Sequence, residues 1–63
     1  MKFNVKQIRT EKGITQTELA EKSGISRITI NKIENNMKKT VKSDTLVKLS
    51  SALGVSIADI FLP

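Results

Sequence analysis

Cysteine and histidine are both absent from this 63-residue chain. Without cysteine no disulfide can form, and nothing in the composition points to secretion into an oxidising compartment. Without either residue the usual zinc ligand sets are missing too, so no metal is expected. Aromatics are confined to Phe3 and Phe61, and the single proline is Pro63. No apolar run approaches the ~18 residues that a membrane helix needs, and the basic N-terminus lacks the apolar stretch of a signal peptide. A soluble, cytoplasmic protein with no membrane partner is expected. Catalytic groups are equally scarce: no glycine loop to cradle a phosphate, and no paired carboxylates on one helix face. Neither an enzyme nor a cofactor is expected. A chain this short buries only ~60% of the surface its unfolded form exposes. With no covalent or metal staple, its stability must come from well-packed helices, helped by self-association. The length also leaves no room for an effector domain, so no small-molecule effector is expected.

What the chain does have is positive charge, and the charge is localised. The net charge is +5. Lys22, Arg27, Lys32, Lys38, Lys39 and Lys42 face a single acid in the same segment, Glu34, whereas cations and acids balance over the remainder. One third of the chain therefore carries the whole excess. A clustered basic stretch is the electrostatic footprint of a phosphate-binding surface, although an ordinary solvated face has the same composition.

Hydrophobic periodicity is helical throughout, with no sustained alternation of the kind strands need. The first helix is predicted over residues 3–12, with Val5 and Ile8 on its apolar stripe and Gly13 just past its end, where a left-handed conformation suits glycine. Thr15 and Glu18 have the spacing of a capping box, opening a second helix over residues 16–22 with Leu19 and Ala20 inward. After the break Ser23-Gly24-Ile25, Ser26 caps a third helix over residues 27–35, anchored by Ile30 and Ile33. Asn35 or Asn36 is expected to end it in the left-handed conformation. A fourth helix starts near Ser43, with Asp44 in its first turn and Leu46, Leu49 and Leu53 inward, and closes at Gly54. Ser56 caps a last helix over residues 57–61. The chain is read as one all-α domain, a compact five-helix bundle over residues 1–63. Its expected core is Val5, Ile8, Ile14, Leu19, Ile25, Leu46, Leu49 and Leu53.

The pair of helices flanking Ser23-Gly24-Ile25 carries the functional information. Two short helices joined by a tight glycine turn make a helix-turn-helix, here residues 16–35. Such a unit needs a small residue at the helix crossing, a turn residue that tolerates positive φ, and a second helix anchored on one side only. Ala20, Gly24 and the pair Ile30 and Ile33 meet these demands, while Arg27, Asn31, Lys32 and Asn35 keep the other side polar.

Gln16, Ala20, Gly24, Ile30 and Glu34, together with the strings QTELAEKSGIS (residues 16–26) and LVKLSSALGVS (residues 46–56), resemble the phage-repressor and Cro-type helix-turn-helix family, also called the XRE family. The resemblance runs from Val5 to Phe61. It departs from the family pattern where Asn36 replaces a frequent glycine and where no proline stands near Val41 or Lys42. It implies a lambda-repressor-like five-helix fold. It also implies sequence-specific regulation of transcription, usually repression, by a homodimer bound through the major groove of double-stranded DNA to a near-palindromic operator.

The resemblance assigns roles residue by residue. Arg27 opens the third helix, whose N-terminal residues point at base edges; a bidentate contact to guanine is expected in preference to a phosphate contact. Ile28 lies about 200° around the helix from Ile30, so it either meets a thymine methyl or packs partly against the second helix. Lys32, one turn on, reaches guanine or phosphate. Ser26, Thr29 and Asn31 are further base-contact candidates. Gln16 and Thr15 stand at the N-terminus of the second helix, where amides face a phosphate. Gln16 is also expected to buttress the third helix. Asn35, Asn36, Lys38, Lys39 and Lys42 are expected to hold phosphates and so fix register. Arg9 and Glu34 are expected to form a partly buried ion pair that leaves part of the guanidinium free for a phosphate. Val55, Ile57, Phe61 and Leu62 are assigned to a two-fold dimer interface, with Ile57 and Ile60 also turned inward. The competing reading is an antitoxin-like or other protein-interaction module on the same fold, disfavoured because no extension is present to wrap a partner.

Overall fold

The structure is a computed structural model that describes residues 2–35, 37 and 41–62, with only the backbone described for Lys2, Phe61 and Leu62. In chain order the elements are β1 (Lys2–Phe3), α1 (Val5–Glu11), α2 (Gln16–Ser23), α3 (Arg27–Glu34), α4 (Ser43–Leu53), α5 (Ile57–Ile60) and β2 (Phe61–Leu62). The architecture is all-α, with one departure at its ends. Phe3 and Phe61, expected to belong to the first and last helices, instead lie in two-residue antiparallel strands, with Lys2 opposite Leu62 and Phe3 opposite Phe61. The Asn4 amide donates to the Ile60 carbonyl, which continues the ladder. Pairing across nearly the full chain length leaves no local period to read, and it turns Phe3 into the core, where it is buried.

The helix boundaries follow from local chemistry. Thr15 Oγ1 accepts from the Glu18 amide and the Glu18 carboxylate accepts from the Thr15 amide, both at 3.1 Å. This reciprocal box satisfies two amides that the first turn of a helix leaves open. It also holds the Glu18 carboxyl below its ordinary range, chiefly through the Thr15 backbone amide. Ser26 Oγ accepts from the Thr29 amide and opens α3 in the same manner. At α5, Ser56 and Asp59 form a second reciprocal pair, Ser56 N to Asp59 Oδ2 at 3.0 Å and Asp59 N to Ser56 Oγ at 3.3 Å. Gly24 ends α2 at φ 74°, a left-handed conformation in which most side chains are strained. Asn35 does not end α3 that way: its φ is −96°. Its side-chain amide and backbone amide both donate to the Asn31 carbonyl instead, capping the last turn without a left-handed residue. Asn36, the other candidate, lies outside the described residues.

The core comprises Phe3, Val5, Leu19, Ile30, Ile33, Leu46, Leu49, Leu53 and Ile60, with Ile8, Ile14, Ala20, Ile25, Val41, Ala52 and Val55 packed half-buried around it. Fully burying one such aliphatic side chain is worth about 1.5–3 kcal/mol, so these few residues decide whether so small a domain folds. Ile57 is a correction to the expected pattern: it is exposed, while Ile60 is fully buried. With four residues, α5 has one turn, and a single turn gives only one side to the core. Among the described residues no helix is long and apolar enough to cross a membrane.

Candidate nucleic-acid interface

The third helix is held from one side only. Ile30 and Ile33 have no exposed surface, whereas Ile28 is 70% exposed. Ile28 thus presents most of its surface to solvent. Arg27, Asn31 and Lys32 are exposed alongside it, and Thr29 is half-buried at the edge. The two isoleucines clamp the helix to the body, so its polar flank projects rigidly into solvent. Two side-chain links organise that flank. The Ser26 hydroxyl donates to Thr29 Oγ1 at 3.0 Å, which leaves the Thr29 hydroxyl proton free to donate outward. The Asn35 side-chain amide donates to Asn31 Oδ1 at 3.1 Å. The Asn31 carbonyl oxygen is thus turned along the helix, and its two N–H donors remain for an incoming acceptor.

An open groove of about 420 Å³ runs along this flank, lined by Gln16, Arg27, Ile28, Asn31, Lys32 and Met37. A second, of about 410 Å³, lies at the N-terminus of α2 and includes Arg9, Thr15, Gln16, Thr17 and Arg27 in its lining. Gln16 and Arg27 border both. The N-terminus of α2 and the N-terminus of α3 therefore open onto one continuous surface. Helix N-termini carry partial positive charge and unpaired amides, which favour anions. Lys42 is exposed after α3. Asn36, Lys38 and Lys39 lie outside the described residues, as do the side chains of Phe61 and Leu62.

Glu34 holds the geometry of this surface from behind. Its side chain is only 2% exposed. Its Oε2 accepts from Arg9 Nε at 2.7 Å, and its Oε1 accepts from Arg9 Nη2 at 3.1 Å and from Gln16 Nε2 at 2.9 Å. One buried carboxylate thereby ties α1, the start of α2 and the end of α3 together. Arg9 Nη1 also donates to the Ile14 carbonyl at 2.8 Å. Three of the five guanidinium N–H groups are thus used inside the domain, and the side chain is 14% exposed. The other two N–H groups take no part in these bonds. The hydrogen bond to Glu34 holds the Arg9 guanidinium above its already high ordinary pKa, against the opposing pull of burial. Among the described residues no buried side-chain nitrogen or oxygen lacks a partner. Gln16 donates one N–H to Glu34 and keeps the other, so it buttresses α3 and still faces the surface.

Two features of this surface were not read from the sequence. Met37 lines the groove from a position beyond α3, where helical spacing says nothing. The Ile14 carbonyl, the third acceptor for Arg9, is a backbone group with no signature in residue type.

Comparison with known proteins places the fold. The family described as Helix-turn-helix matches residues 5–60. The HTH-type transcriptional regulator SinR of Bacillus subtilis is 40% identical over 53 residues, covering 84% of this chain and 48% of SinR; the chain thus spans about half the length of that relative. The crystal structure of SinR, described as the master regulator for biofilm formation and solved in complex with DNA, superposes with a TM-score of 0.83 at 38% identity, covering 87% of each chain. The restriction-modification controller protein C.AhdI from Aeromonas hydrophila superposes with a TM-score of 0.85 at 29% identity, covering 92% of this chain and 86% of that one. With its capped helix pair, its left-handed Gly24 turn and a family match over residues 5–60, the chain belongs to the XRE-type helix-turn-helix family.

Proposed function

We propose that the chain is a sequence-specific DNA-binding transcriptional regulator, a repressor that acts in the cytoplasm and inserts α3 into the major groove of a near-palindromic operator. The observation that carries this reading is the one-sided anchoring of α3: Ile30 and Ile33 are wholly buried, and Arg27, Ile28, Asn31 and Lys32 stand free on the opposite flank. An α-helix with its side chains fits the width of the major groove, and polar side chains there meet a distinct donor and acceptor pattern at each base pair. The 38% identical SinR domain, solved in complex with DNA, supports the reading from outside.

In this reading Arg27 contacts a guanine through O6 and N7. Ile28 meets a thymine methyl. Lys32 and the free donors of Asn31 contact bases one turn on, with Ser26 and Thr29 at the edge. Phosphates are held by Thr15 and Gln16 at the start of α2, by the two remaining N–H groups of Arg9, and by Asn35, Asn36, Lys38, Lys39 and Lys42 after α3. A second copy docks through Val55, Ile57, Phe61 and Leu62, which gives two reading helices related by a two-fold axis. The exposure of Ile57 suits that role.

Selection of binding sites from random double-stranded DNA tests the proposal. The expected product is a palindromic consensus with half-sites one helical turn apart, ~34 Å. A selected pool with no consensus would overturn sequence-specific regulation. A single unpaired half-site would overturn the homodimer and leave the reading helix intact.

A further inference from the structure

Four large apolar side chains are exposed among the described residues: Ile28 at 70%, Met37 at 67%, Val47 at 48% and Ile57 at 37%. The two most exposed share one place. Ile28 and Met37 line the same open groove, together with Gln16, Arg27, Asn31 and Lys32. Ile28 sits in the first turn of α3, and Met37 lies beyond its last. Met37 is not a loose loop residue there: its amide donates to the Lys32 carbonyl at 2.8 Å, which pins its backbone to the end of the helix. The surface is thus apolar at both ends, with cationic and amide side chains between.

Building on the DNA-binding reading above, we infer that Met37 is a second apolar reading residue, placed to contact a thymine methyl on a different base pair from the one Ile28 contacts. Phosphates reward cations and hydrogen-bond donors and gain nothing from a thioether. The one apolar group that a base presents in the major groove is the C5-methyl of thymine. A methionine is unbranched and polarisable, so it can fit a methyl without a tightly shaped pocket. The neighbouring Arg27 and Lys32 match a polyanionic partner, so a duplex is drawn against this face with both apolar side chains turned toward it. Six helical steps from Ile28 to Glu34, the last residue of α3, at 1.5 Å each already amount to ~9 Å along the helix, more than the ~3.4 Å of one base step. Ile28 and Met37 therefore address separate positions of one half-site, and Met37 extends the sequence preference beyond the helix itself.

The test is a double-mutant cycle between protein and DNA. The probe is the operator recovered by site selection, together with copies in which single thymines are replaced by deoxyuridine, which removes only the methyl. For the unaltered protein, two thymines of each half-site should each show about a fourfold loss of affinity on replacement, the equivalent of ~0.8 kcal/mol for one buried methyl-sized group. Met37→Ala should abolish the loss at one of them and leave the other, Ile28→Ala should do the reverse, and Met37→Leu should retain both. The exposure of Met37 means that its replacement leaves the fold intact, which far-UV circular dichroism checks. If Met37→Ala keeps every thymine penalty, or weakens specific and random DNA alike, the inference is wrong while the regulator reading stands. A selected operator without a second sensitive thymine overturns it as well. The absence of any selected operator would defeat the regulator reading itself, and this inference with it.

Discussion

Glu34 is the residue whose loss should cost the most for its size. Replacing it with alanine removes three accepted hydrogen bonds, two from Arg9 and one from Gln16. The Arg9 guanidinium, 14% exposed, is then left with the Ile14 carbonyl as its remaining internal acceptor. Breaking a buried pair by deleting one partner costs about 3–5 kcal/mol. Because Arg9 retains some contact with water, the lower end applies, ~3 kcal/mol. A domain of this length has roughly 3–9 kcal/mol in total, so the variant should lose a third or more of its stability. In melting temperature that is a fall of about 12–24 °C. The chain has neither tryptophan nor tyrosine, so thermal and urea unfolding should be followed by far-UV circular dichroism. The informative comparison is the pair Arg9→Met with Glu34→Leu, which removes both charges and keeps apolar volume. It should lie well above Glu34→Ala, since the desolvation of two charges no longer has to be met. If Glu34→Ala costs less than ~1 kcal/mol, or if the double replacement is as unstable as the two single losses added together, the carboxylate is not the link between α1, α2 and α3 described above.

Arg27→Ala should relax preference at one base position at a cost of ~1–3 kcal/mol, whereas Lys42→Ala should weaken all sequences alike and reduce the salt slope by about one; selection and salt titration on both variants separate the two roles. Gly24→Ala meets no atom within 4 Å of the added Cβ, so its cost is conformational alone, about 1–2 kcal/mol for a left-handed residue, measurable by urea unfolding. The Glu18 carboxyl is held below its ordinary value by the Thr15 amide and hydroxyl. A depressed carboxyl stabilises the fold above its unfolded-state pKa and loses that contribution as pH falls through the folded value. The stability advantage of the wild-type protein over Glu18→Gln should therefore be full at neutral pH and shrink in acid; an advantage that grows on acidification would contradict the sign.

Which parts of this molecule could be read from sequence depended on the range of the interactions. The Thr15–Glu18 box, the Ser26 cap and the left-handed Gly24 involve residues within three or four positions, so residue type and spacing suffice. The anchoring of α3 was equally legible, because Ile30 and Ile33 recur at helical spacing with polar residues between. The Arg9–Glu34 pair spans 25 positions; no local pattern announces it, and only the family resemblance led there. The terminal strands escaped for the same reason, since their pairing joins the two ends of the chain. Ile57 was misplaced because one helical turn has too few residues to define a face. Of the two asparagines expected to end α3, Asn35 ends it in the other way open to an asparagine, its side chain bonding back to Asn31, and Asn36 lies outside the described residues. Met37 lies where periodicity stops, so its place in the groove emerged only from the fold.

The central claim is that the outer flank of α3 is what touches the bases. Titrating a selected operator into isotopically labelled protein and following backbone and side-chain resonances tests it most directly. The largest changes should fall on Arg27, Ile28, Asn31, Lys32 and the α2 start at Gln16, with α4 and, apart from Arg9, α1 little affected. Large changes confined to α4 or to the outer face of α1, with α3 silent, would contradict it.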